Sequence, residues 1–402
     1  MLIKKYSNSL SKTIAAATKK GAAACLALCL LSPTAAEATP QNGNIVGGQG
    51  VIEQTSPVDM KITQTTARMA IDWNAFDIGA NEKVTFLQPG SDSAVLNRVT
   101  GGGASLIAGK LNANGSIYFV NPNGINFAAG SAVEAGSMLA TTGNVDPLNF
   151  MQGLVNIGAG NSIIVNSGAI TANNGSVQLI GATEIQNNGT IMSRTVADGG
   201  VVILSASNII SNSGKIDASA TSKGKGGSVI ITSDGVVNLS NGSIYANGGI
   251  VSGAGGNLSI TAKGNISQSA DSGIFLGKGG TGSFDAGTGD VVLNSKNNSF
   301  DGTIKITGNN VDLFSKTGYV IGTNKISGNL TLGTEMGAVT QNTAILLKTG
   351  KTATLNAGKG SISLIEPRNK LSKIIANGGN VAVRSDSTIN MGASNVTGQL
   401  SL

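Results

Sequence analysis

The feature that most constrains this chain is a recurrence of short aliphatic runs, one coil's length apart. Runs that follow glycine begin at Val177, Val201, Val229, Leu258 and Val291, at spacings of 24, 28, 29 and 33 residues. A second set starts at Ile185, Ile209, Val236 and Ile266, and a third at Ile191, Ile216, Ile244 and Ile274. The order is strand, turn, strand, turn, strand, then a return loop that lengthens along the chain. A single unit of this kind cannot bury its apolar face, whereas stacked units share a continuous core and parallel hydrogen bonds about 4.8 Å apart. The pattern predicts an all-β chain, a right-handed parallel β-helix with three strands per coil. An antiparallel sandwich is the alternative, but it supplies no reason for the period.

Within a run, apolar and polar residues alternate, as in Val229-Ile230-Ile231-Thr232 and Leu258-Ser259-Ile260-Thr261. Such alternation puts one set inward and the other outward. Ile230 and Ile260 are expected in the core and Thr232 on the surface. Asn-Gly pairs at 174–175, 188–189, 241–242 and 247–248 mark turns, where positive φ is tolerated. The sole tryptophan, Trp73, and its neighbour Phe76 are expected to pack in an N-terminal β cap. With 40% hydrophobic and only 12% charged residues, the chain has the means to fold rather than stay disordered.

The first 38 residues stand apart. Five lysines and no acid precede the apolar run Gly21–Leu31, and Ala36-Glu37-Ala38 follows. This is the order of a secretory signal peptide with cleavage after Ala38, Ala36 and Ala38 filling the small-residue positions and Thr39 becoming the first mature residue. The run is too short for a membrane anchor, which takes about 20 residues. A lipoprotein reading fails on the residues before Cys25 and Cys29. Of 27 bases and 21 acids in the whole chain, residues 39–402 keep 22 and 20. Charge so balanced and so spread implies no nucleic-acid partner. Both cysteines leave with the signal, so no disulfide is expected.

No histidine occurs, which removes Ser-His-Asp and Cys-His catalysis and the usual zinc sites. Gly350-Lys351-Thr352 lacks the leading glycine of a phosphate loop, since Ile345 stands there. Gly279–Asp285 approaches a calcium-binding nonapeptide once, with its acid one place late. Neither implies a cofactor or metal, and the chain reads as a non-enzyme. A polysaccharide-acting β-helix enzyme stays open as an alternative, because acids from separate coils could converge.

Residues 70–142 carry the most specific signal. Trp73, Phe76 and Ile78 are followed by Val84, Phe86, Gln88 and Pro89, then Leu96-Asn97-Arg98-Val99 with Gly101-Gly102. Gly109, Leu111, Ala113-Asn114-Gly115 and Asn121-Pro122-Asn123-Gly124-Ile125 complete the series. In this order the stretch resembles the secretion domain of two-partner-secretion exoproteins, the filamentous-haemagglutinin type, and the likeness extends over roughly residues 42–298. The resemblance implies an exported adhesin-type structural protein, secreted through an Omp85-type outer-membrane transporter (TpsB) after Sec export to the periplasm of a Gram-negative bacterium. It would end secreted or on the cell surface, where a host-cell or carbohydrate receptor is the partner class such a shaft would meet. A haemolysin or toxin passenger on the same domain is the alternative. Asn97, Arg98, Asn121, Pro122, Asn123 and Gly124 are the polar and turn positions of the motif, and they are the candidates for recognition during secretion. The turn Asn121–Gly124 has an equally good structural reading, and Arg98 is expected either at the surface or on backbone carbonyls.

Three segments follow: a signal at 1–38, a secretion domain with β-helix coils at 39–298, and further solenoid repeats at 299–402. In the last, residues 325–332 resemble residues 395–402, 70 positions on. The second copy stops where the first continues, so the chain reads as part of a longer exoprotein.

Overall fold

A computed structural model describes residues 39–402; the expected signal peptide, with Ala36 and Ala38, lies outside the described residues. The described chain is a parallel β-helix. Its strands stack in three sheets, called A, B and C in the order a coil visits them. Parallel register makes the stacking explicit. Sheet A aligns Val177, Val202, Val229, Leu258 and Gly282. Sheet B aligns Ile185, Ile210, Val237, Ile266 and Val291. Sheet C aligns Ile191, Ile216, Ile244 and Ile274, the third set read from the sequence.

The other two sets need correction. Val201, Ile209 and Val236 each lie one residue before the inward position, and Val291 belongs to sheet B rather than to sheet A. Ile230 is likewise not a core residue. Val229 and Ile231 are buried and align with Leu258 and Ile260, while Ile230 aligns with Ser259 on the outer side with Thr232. The reason is the strand's period of two: Ile230 and Thr232 share a face whatever their polarity.

An antiparallel cap closes the N-terminal end. Asn44–Gly47 pairs with Arg68–Trp73, and Gly50–Ser56 pairs with Asp59–Gln64. Trp73 and Phe76 are buried beneath it, with ring centroids 5.3 Å apart edge to face, and Phe76 meets Phe119 at 4.9 Å. Aromatic bulk here fills the first coils, and aliphatic residues take over from Ile164 to Leu276.

Positive φ is little used at the Asn-Gly turns. Of the four Asn-Gly pairs only Asn241 has positive φ, at 61°. Gly189 is required for a different reason: a Cβ there would run into the carbonyl of Gly168 in the coil below. Gly227 meets the carbonyl of Gly200 in the same way. The corners between sheets B and C are instead held by a buried side-chain ladder. Asn166 donates to Asn187 at 2.8 Å, and Asn187 to Asn212 at 2.7 Å. Each amide of the ladder donates to the next, and the buried Nδ2 of its last member, Asn212, has no partner among the described residues.

Three strands per coil persist to Gly273–Leu276, the last strand of sheet C. Beyond it sheets A and B continue alone, and single bridges such as Phe275 to Ser299 occupy the third side. Phe284, Phe300 and Tyr319 pack where the cross-section narrows. In this part the 70-residue repeat changes sheets. Leu330 aligns with Val311 in sheet B, but its counterpart Leu400 aligns with Val381 in sheet A. The internal amide pair Gln268–Asn298 also recurs as Gln341–Asn369, each pair bonded in both directions.

Candidate secretion-recognition site

The motif residues fall on consecutive coils next to the cap. The strands Arg68–Trp73, Ala94–Val99 and Ser116–Val120 lie side by side in sheet A. Their inner faces carry Met69, Val95 and Ile117. Their outer faces are apolar too: Ala70, Leu96 and Val120 point away from the coil interior yet are buried. What covers them is an excursion between coils, residues 143–160, which contains a short helix, α1 (Pro147–Met151). Asp146 caps it by accepting from the Leu148 amide at 2.9 Å, and proline opens its first turn. Phe150 is the anchor. It meets the Tyr118 ring edge-on at 5.1 Å and lies under the Arg68 guanidinium, which also donates to its carbonyl at 3.2 Å.

Asn97 is fully buried and accepts from the Trp73 indole N–H at 3.0 Å. Its own Nδ2 has no hydrogen-bond partner among the described residues. Arg98 does neither of the two things expected of it as its main contact. It grips Asp72 on the neighbouring strand with a two-point bridge, both bonds 2.8 Å, and reaches the Val145 carbonyl only at 3.5 Å. The pair faces the excursion, so a carboxylate and a guanidinium tie two coils and the covering strap together.

Asn121 is buried, and its side chain organises the turn. Its Oδ1 accepts from the Asn123 amide at 2.9 Å, and its Nδ2 donates to the Gly103 carbonyl and to Ser105 Oγ, both at 2.9 Å. The Gly124 amide closes the turn on the Asn121 carbonyl at 3.1 Å. Gly124 holds φ at 116°, where a side chain would be strained. Pro122 and Asn123 are exposed, and Asn123 Nδ2 reaches back 2.9 Å to the Gly101 carbonyl. The motif thus separates into two kinds of residue. Asn97, Asn121 and Gly124 are internal, whereas Arg98, Thr100, Pro122 and Asn123 line one open groove with Asn144 of the strap. Trp73, Phe76 and Ile78 are core.

The profile of the TPS secretion domain family matches residues 33–280, more than half of the chain. The chain belongs to this family. A second profile, of repeats of unknown function, matches residues 308–376. Two heme/hemopexin-binding proteins of Haemophilus influenzae, one from strain Rd, are 42% and 41% identical to the TPS protein over 110 residues. That stretch is 27% of this chain and spans only 12% of each relative's length. The crystal structure of the HMW1 secretion domain from Haemophilus influenzae covers 90% of this chain at 22% identity and a TM-score of 0.45. A TPS secretion domain directs secretion, so the motif residues belong to an export module.

Sequence reasoning missed Asp72, Asn144 and the strap. The strap had a local signal, Asp146-Pro147, which reads as a helix N-cap followed by a first-turn proline. Asp72 had none, because its pairing with Arg98 follows from strand register alone. Among the described residues no group of three or more His, Cys, Asp or Glu converges in metal-binding geometry.

Proposed function

We propose that this chain is the N-terminal part of an adhesin-type exoprotein, that its TPS domain engages an Omp85-type outer-membrane transporter, and that it reaches that transporter through the periplasm after Sec export. The secretion domain occupies residues 39–298 and solenoid repeats occupy 299–402. The chain has no catalytic role. The observation that carries the recognition reading is the division of the motif. Buried Asn97 and Asn121 have internal partners and build the surface, while Arg98, Pro122 and Asn123, from separate segments, line one groove. A solenoid shaft alone needs no such shared surface.

A contrast between Asn97→Ala and Asn123→Ala tests this, with export and melting measured on each variant in cells that hold the transporter. Asn97→Ala strands the Trp73 indole N–H, which costs about 1–3 kcal/mol, and export should fall with stability. Asn123→Ala removes an exposed hydrogen bond to Gly101 and a long one, 3.4 Å, to Asn121, and export should fall while melting changes little. Normal export of Asn123→Ala would remove the groove from recognition. Binding of heme or hemopexin, which the relatives' names state, lies outside this reading, since the shared stretch is so small a part of them.

A further inference from the structure

Return loops from sheet C to sheet A stack into a crest along one corner of the coil. They span residues 194–200, 218–227, 247–256 and 277–280. Backbone bonds lock each loop to the next: Gly199 N to Lys225 O at 2.9 Å, Val251 N to Ser222 O at 2.9 Å, Gly249 N to Gly224 O at 2.8 Å and Gly255 N to Lys278 O at 2.9 Å. The crest is therefore a fixed surface. Its tips carry large aliphatic side chains held out in water. Val196 is 91% exposed, Ile250 92% and Val251 64%. Exposed Lys223, Lys225 and Lys278 alternate with them, and none has an ion pair among the described residues. Of the acids nearby, Asp217 is paired, whereas Asp198 and Asp301, whose carbonyl accepts from the Gly279 amide at 3.0 Å, are exposed. Asp198 accepts from the Lys225 amide at 2.7 Å, and Asp217 is bridged by Lys215 and Arg194.

Scattered exposed aliphatics are ordinary on protein surfaces. Here they sit on stacked, hydrogen-bonded loops, between three lysines that supply more positive charge than the exposed acids Asp198 and Asp301 cancel. Such a surface matches a face that is anionic at its rim and apolar just beneath. A second copy of the chain would bring lysine to lysine, and a dissolved polyanion would make no use of Ile250. We infer that the crest docks on an anionic lipid surface, the aliphatic tips entering the interface and the lysines meeting headgroups. This goes beyond the secretion role and does not depend on the transporter.

The test uses the secreted protein and flotation with phosphatidylcholine vesicles, with or without phosphatidylglycerol. Wild type should float with the anionic vesicles only, and added salt should release it. Lys223→Glu with Lys225→Glu should cut partitioning by at least about twenty-five-fold, taking roughly fivefold per lysine removed. Ile250→Ser with Val251→Ser should cut it by about tenfold or more. These positions are exposed, so circular dichroism of each variant should match wild type, and the loss is then attributable to the crest. Three outcomes overturn the inference: no flotation of wild type, flotation indifferent to Ile250 and Val251, or binding that a soluble anionic polysaccharide abolishes while the serine variants bind as wild type.

Discussion

Two adjacent isoleucines test the register of the whole core. Ile231 is fully buried and stacks between Leu204 and Ile260 of the neighbouring coils. Ile230 lies between Ile203 and Ser259 on the outer, partly exposed side. Ile231→Ala removes three carbons from a site with packed neighbours above and below. Transfer and cavity terms together put the loss at about 2–5 kcal/mol. Ile230→Ala loses only partial burial of the same atoms, about 1 kcal/mol or less. The two variants have the same composition, so charge, propensity and denatured-state effects nearly cancel. Urea unfolding of the secreted protein, followed by β circular dichroism, measures the difference. With a slope of roughly 3 kcal/mol/M or more for a chain of this size, Ile231→Ala should lower the midpoint by up to about 1.7 M and Ile230→Ala by at most about 0.3 M. Equal shifts, or the larger shift at Ile230, would refute the register and with it the inward alignment of Val229, Ile231, Leu258 and Ile260.

Two further outcomes follow from the strap and from a buried carboxylate. Phe150→Ala should cost about 3–5 kcal/mol and speed amide hydrogen exchange in Arg68–Trp73, Ala94–Val99 and Ser116–Val120, with coils beyond Val201 unchanged; uniform exchange would deny the strap its role. At Asp217, burial raises the carboxyl's pKa, but the bonds from Lys215 and Ser219 outweigh it and hold the group below its usual range. Its stabilisation is therefore present above the ordinary carboxylate value and lost as pH falls through the lowered one. Asp217→Asn should narrow the gap to wild type below about pH 4, as read by thermal melting. Asp312, raised by burial despite its bond from Asn294, has the opposite sign and should gain stability on acidification.

The period of the aliphatic runs was enough to determine the architecture. Ile191, Ile216, Ile244 and Ile274 stack as their spacing requires, because each coil must bring an inward residue over the last. Phase was less legible. In Val229-Ile230-Ile231 three aliphatics stand together, so composition does not say which one faces out, and only pairing with Leu258-Ser259-Ile260 does. Glycines were visible as punctuation, but their cause was not, since Gly189 answers to Gly168 in another coil rather than to its own φ. The motif's residue types and order were likewise plain in one dimension.

Their division into builders and groove lining was decided by tertiary structure. Asn97 and Arg98 are neighbours in sequence and point to opposite faces of one strand, one to Trp73 and the other to Asp72. Asn144 reaches the groove because Phe150 holds the strap over coils formed much earlier in the chain. A sequence fixes what each strand can bury, since alternation and period are local properties. It does not fix which distant segment will cover a second apolar face, because that depends on shape and on the competition among all the surfaces the coils present.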